Sequence, residues 1–100
     1  MIRGTTPTHT FNVPIDTSTI KEVRILYAQD DALVLVKETK DCELGDGIVK
    51  TTLSQDDTFM FDCKKCVEVQ IRVLTEGGEA LASVPVKVSV SKCLHDEVLA

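Results

Sequence analysis

The chain has 100 residues, 43% hydrophobic and 27% charged, with sixteen acids against eleven bases for a net charge of −5. That length suits one domain, able to bury about two-thirds of its unfolded surface and to fold without staples. The composition argues against a disordered chain and against a membrane protein, since the longest apolar run, Ala32 to Val36, is far too short to cross a bilayer.

Met1 to Pro7 is polar, with Gly4 and Pro7, and reads as a loose leader. It has one positive charge but no apolar stretch after it, so no export signal is expected. The expected location is the cytosol, where the protein would be kept or assembled. Thr8 to Val13 follows as a first strand, with His9, Phe11 and Val13 on one side and Thr8, Thr10 and Asn12 on the other. Pro14 closes it, because proline cannot donate to a ladder.

Asp16 to Thr19 is turn material, and Thr19 with Glu22 matches a weak capping box. The preferred reading is a turn into a second strand, where Val23, Ile25 and Tyr27 alternate with Glu22, Arg24 and Leu26. Gln29-Asp30-Asp31 is a tight connection, and Leu33 to Lys37 returns as strand three. Asp41 to Gly47 is a loop or a brief edge strand with a sharp bend. Ile48 to Leu53 is strand four, Ser54 to Asp57 a short helical stretch, and Thr58 to Asp62 strand five, with Phe59 and Phe61 sharing a face.

Val67 to Leu74 is the cleanest element, with Val67, Val69, Ile71 and Val73 opposite Glu68, Gln70 and Arg72. The Gly77-Gly78 pair predicts a hairpin, since glycine takes positive φ without steric cost. The returning strand is read at Val84, Val86, Val88 and Val90, alternating with Pro85, Lys87, Ser89 and Ser91. Cys93 to Ala100 is left as a tail, whose Val98 and Leu99 are expected to dock on the same domain or on a neighbouring subunit. Seven strands with turns every eight to twelve residues predict an all-β fold: one antiparallel Ig-like β-sandwich over residues 1–100, with a small β-barrel as the alternative closure.

Chemistry-bearing residues are few. Cys63-Lys64-Lys65-Cys66 has zinc-knuckle spacing, and Cys42 and Cys93 are the remaining thiols that a tetrahedral site would need. One knuckle is half of the usual set, and the missing export signal disfavours disulfides, so the four are read as free thiols. A redox pair would need a βαβ context, which is absent. Lys64 and Lys65 are the only clustered bases, too few for a phosphate-binding face, so no nucleic-acid partner is expected. His9 and His95 stand at opposite ends, and His9 reads as a packed strand residue. Asp30-Asp31 and Asp56-Asp57 read as turn and cap residues rather than calcium ligands. No nucleophile with a placed base and no phosphate-cradling loop is present, so no catalytic, cofactor-binding or metal residue is assigned and no enzyme is expected.

Leu53-Ser-Gln-Asp-Asp57-Thr58-Phe59-Met-Phe61-Asp-Cys63 resembles the E–F corner of immunoglobulin domains, where a Leu, an Asp-Thr pair, an aromatic and a Cys share this spacing. Phe61 stands in place of the corner tyrosine, the chain has no tryptophan, and Cys42 is too near to be the usual disulfide partner.

The opening Met1-Ile-Arg-Gly-Thr-Thr-Pro-Thr-His9, Ile25-Leu-Tyr-Ala-Gln29, Asp56-Asp-Thr-Phe59, Ile71-Arg-Val-Leu-Thr75 and the Cys93-Leu tail with Asp96-Glu-Val-Leu99 carry a second likeness. Over its full length the chain resembles short β-rich proteins of phages and prophages of Gram-positive (Firmicutes) gut bacteria. The resemblance implies a virion-associated role: a structural or accessory subunit that binds itself or other phage structural proteins, without membrane or small-molecule substrate, and leaves the cytoplasm in the particle. An intracellular phage-encoded regulatory module and a host-surface binding module are the alternatives. With one Tyr and three Phe, mostly core, a sugar platform is not expected.

Overall fold

The computed structural model describes all 100 residues. Eight strands form: β1 (Thr8–Asn12), β2 (Ile20–Gln29), β3 (Ala32–Glu38), β4 (Cys42–Gly45), β5 (Ile48–Thr52), β6 (Val67–Thr75), β7 (Ala80–Ala82) and β8 (Val86–Val88), with one short α-helix, α1 (Gln55–Phe59), and single 3-10 turns at Thr17–Thr19 and Thr39–Asp41. A three-stranded sheet, β1-β5-β4, covers a five-stranded one, β3-β2-β6, in which β7 and β8 both pair with the outer side of β6. All named pairs are antiparallel, and the sheets do not close into a barrel.

Lettered as an immunoglobulin sandwich, this is B-E-D against C′-C-F-G. The first strand, A, is reduced to a parallel bridge between Ile2 and Ser91.

The core follows the period-two pattern. Val23, Ile25 and Tyr27 of β2 and Val67, Val69, Ile71 and Val73 of β6 are buried together, and Val49, Leu53 and Phe61 cover them from the other layer. Only 16 of 100 residues are buried, so each large core side chain carries a large share of a marginal stability. The β2–β3 turn is made by Asp30 (φ 50°) and Asp31 (φ 62°), the paired positive φ values of a type I′ turn that Asp tolerates better than bulkier residues.

Three expectations are corrected. The strand expected at Thr58–Asp62 does not form, because Ser54 and Asp57 build a reciprocal cap: Ser54 Oγ accepts from Asp57 N–H (3.0 Å) and Asp57 Oδ2 accepts from Ser54 N–H (2.9 Å). That cap starts α1 and carries helix through Phe59, overriding the strand preference of Thr-Phe-Met-Phe. The returning hairpin strand is split into β7 and β8. Ser83 takes the place of a simple continuation by accepting the Ile71 N–H on its Oγ (3.1 Å), and Pro85 cannot donate, so Val84 is 81% exposed while Val90 is buried.

The leader Met1–Pro7, expected to be loose, is pinned along its length. Its strand hydrogen bonds run from Ser91 N to Met1 O (2.8 Å), Arg3 N to Ser91 O (3.0 Å) and Leu53 N to Pro7 O (2.9 Å). Gly4 N donates to the buried Thr58 hydroxyl (2.8 Å). Gly4 sits at φ +79°, and a Cβ there would lie 2.6 Å from the Phe59 ring, so no other residue fits without moving Phe59. The tail Cys93–Ala100 has no regular structure and is tied at two points: Arg3 to Asp96 (2.9 Å), and the Gln55 side chain to the Leu99 backbone (2.8 Å in both directions).

Candidate interaction surface

An antiparallel sheet with one solvated face ordinarily alternates apolar-in and polar-out. β3 breaks the rule, since Ala32-Leu-Val-Leu-Val36 is apolar on both faces. Pairing puts Val36 beside Leu26 and Leu33 beside Ala28 on the outer face of the larger sheet. Leu33 is 63% and Val36 39% exposed. Leu26, Ala28 and Leu33, with Pro85 from the far edge, line a shallow depression of about 190 Å³ whose polar members are Asp31, Glu68 and Gln70. Gln70 is fixed by its Nε2 donating to Ser83 O (2.8 Å). Glu22, Arg24 and Arg72 flank this stripe around a second depression toward Ala80.

β3 has no strand on its outer side, so its backbone groups there are unpaired, a feature that invites strand addition. Two devices blunt it. The register shifts between Tyr27 and Ala28, a bulge that bends the edge. Lys37 points inward from the edge to Asp57 of α1, Nζ to Oδ2 2.7 Å, with both side chains largely buried. Burial alone would raise the Asp57 carboxyl, but the Lys37 ammonium and the Ser54 groups outweigh it and hold it below the usual carboxylate range. Because the folded value is the lower one, the pair's stabilisation is complete above the unfolded pKa of about 4 and is lost as pH falls through the folded value. Asp57→Asn should therefore remove part of the acid-induced loss below about pH 4, measured as urea midpoints from pH 6 to 2; parallel profiles for the two proteins would refute it.

The thiols do not converge. Cys42 lies in β4, Cys63 and Cys66 lie in the connection from α1 to β6, and Cys93 opens the tail; all four are unlinked. No three His, Cys, Asp or Glu side chains gather where a metal ion would be held. Burial raises the Cys42 thiol above its usual value, which makes it a poor nucleophile at neutral pH. Cys93 Sγ is 3.2 Å from His95 O.

Gln29, read from sequence only as part of a turn, organises the cysteine loop. Its side chain is buried and accepts the Asp62 N–H (2.9 Å) while donating to Asp62 O (2.8 Å) and Lys65 O (3.1 Å). Lys65 reaches back to Asp30 (2.8 Å) at the exposed turn. The Cys-x-x-Cys spacing thus belongs to a corner held by a buried amide. No sequence motif marks Gln29, since its partners are backbone groups more than thirty residues away.

His9 is also placed by tertiary contacts. Its Nδ1 lies 2.7 Å from the hydroxyl of the buried Tyr27, and the Tyr27 ring packs against Phe61 at 5.8 Å. Burial, and then the Met1 amino group, lower the His9 pKa, while burial raises that of Tyr27. The His9–Tyr27 pair satisfies a buried hydroxyl. Asp30 and Asp31 form the β2–β3 turn, and Asp56 and Asp57 occupy the first turn of α1. No helix is long and apolar enough to cross a membrane.

Comparison with known protein families, with curated proteins and with solved structures finds no match.

Proposed function

We propose that this chain is a non-enzymatic structural or accessory protein of a phage particle, or of its assembly, acting through protein–protein contacts. The observation that carries the contact reading is the apolar stripe Leu26–Ala28–Leu33–Val36 on the outer face of an antiparallel sheet, where polar side chains are the rule. The phage assignment rests on the full-length sequence resemblance. The stripe is flanked by Arg24, Arg72 and Glu22, giving an apolar centre with a charged rim, the usual anatomy of an interface.

Particles purified from a host carrying the gene should contain the chain at a fixed copy number by quantitative mass spectrometry. Its confinement to the soluble lysate would remove the virion reading and favour the intracellular regulatory module. Leu33→Lys with Val36→Lys should weaken association at least tenfold in sedimentation velocity, with little change in thermal midpoint, because both positions are exposed. Unchanged association would show that the stripe is not the contact.

A further inference from the structure

At the end of the sandwich away from α1 a gap opens between the two layers. Val13, Pro14 and Ile15, on the chain leaving β1, face Ile71, Val73 and Leu81 across an open cavity of about 280 Å³. An aliphatic void of about 150 Å³ accepts a benzene molecule, so this one has room for two small aliphatic side chains.

Both strands bordering the cavity have backbone groups to offer. Thr75 N–H donates to Glu79 O and Ser83 N–H to Ile71 O, which turns the N–H and C=O groups of Ala80 and Ala82 away from β6. Likewise Val13 N–H to Gly47 O and Leu53 N–H to Pro7 O turn those of Thr8, Thr10 and Asn12 away from β5. Neither β7 nor β1 has a further strand beside it. The lane along β7 and β8 is filled only at its other end, where Met1 N donates to Ser89 O (2.9 Å) and Met1 to Arg3 runs parallel to Ser89–Ser91.

The same chain carries an aliphatic segment with nowhere to bury. Leu94, Val98 and Leu99 are exposed in the unstructured tail, which is anchored beside α1, at the opposite end of the sandwich from the cavity. We propose that the Cys93–Ala100 tail of one copy enters the cavity of the next, adding a short strand beside Ala80–Ala82 and turning Val98 and Ala100 inward. This rests on the reading of the chain as an assembly protein and names one of its contacts. With donor and acceptor at opposite ends, the contact is heterologous and builds rows of copies rather than a closed twofold dimer.

The test uses two proteins, both carrying Leu33→Lys and Val36→Lys so that the sheet-face contact is silent. One also lacks Asp96–Ala100, leaving its cavity open; the other keeps its tail and carries Ile15→Lys in the cavity wall. Ala82→Arg, at an exposed position lining the cavity, serves as a second blocking variant should Ile15→Lys fail to fold by circular dichroism. Each protein alone should sediment as a monomer, and their mixture should give a one-to-one dimer and nothing larger. A fluorescent peptide of residues Lys92–Ala100 should bind the tail-deleted protein at least tenfold more tightly than the blocked one. A mixture that stays monomeric, or a peptide that binds both proteins equally, would overturn the proposal. Association that vanishes with Leu33→Lys and Val36→Lys but survives tail deletion would overturn it while leaving the assembly reading standing.

Discussion

Replacing Gln29 with leucine should cost about 2–3 kcal/mol of stability, because three hydrogen bonds to the Asp62–Lys65 backbone vanish together. For a domain of this size that is a fall on the order of 10–20 °C in thermal midpoint. Gln29→Glu should do nearly as much damage. A carboxylate can still accept from Asp62 N–H, but it has no hydrogen to give to the Asp62 and Lys65 carbonyls and faces their oxygens instead. The loss should be visible locally as well. With the corner released, Cys63 and Cys66 should react faster with a thiol reagent, while the half-buried Cys42 changes little below the unfolding transition. A midpoint within a degree or two of wild type would mean that water replaces the amide without loss, and the corner would then owe its shape to the flanking strands alone.

Phe61→Ala should be the most damaging single truncation, at about 3–5 kcal/mol by urea denaturation. Phe61 is 1% exposed and stacks obliquely on Tyr27, whose hydroxyl is in turn satisfied by His9. Removing the ring leaves a cavity between the layers and unseats the tyrosine that bridges them. Against a total of roughly 5–15 kcal/mol, such a loss leaves a largely unfolded population at 37 °C. Phe61→Leu fills most of the volume and should recover more than half of the stability. If Phe61→Ala cost less than about 1 kcal/mol, the corner would have to collapse onto the void, and Phe61 would not be the centre of the core.

The Phe61 position shows how a motif transfers incompletely. The Leu53-to-Cys63 spacing resembles the immunoglobulin corner, and the strand order has the form of the immunoglobulin-like sandwich that the seven-strand spacing predicted. In the immunoglobulin corner the tyrosine hydroxyl bonds back to nearby backbone. Here the phenol stands instead on β2 as Tyr27, with its partner on β1, and Phe61 supplies only bulk. A polar anchor has moved from the corner to the middle of the core, and nothing in the local sequence of either residue reveals the pairing.

Local patterning by itself determined five of the strands, β1, β2, β3, β5 and β6. Alternation in β1, β2, β5 and β6, the Asp30-Asp31 and Gly77-Gly78 turns, and the confinement of core side chains to one face of β6 all follow from a period of two. It failed at Thr58–Asp62, where strand-favouring residues were drawn into a helix by a cap whose two halves are three residues apart, and at Ser83–Pro85, where a side chain and an imino acid interrupt a ladder. Pinning of the leader, the cysteine corner around Gln29, the inward Lys37 and the apolar outer stripe were decided only by the tertiary structure. Each depends on which distant strands become neighbours, and a side chain whose partner is a backbone group thirty or more residues away leaves no periodic trace in its own segment.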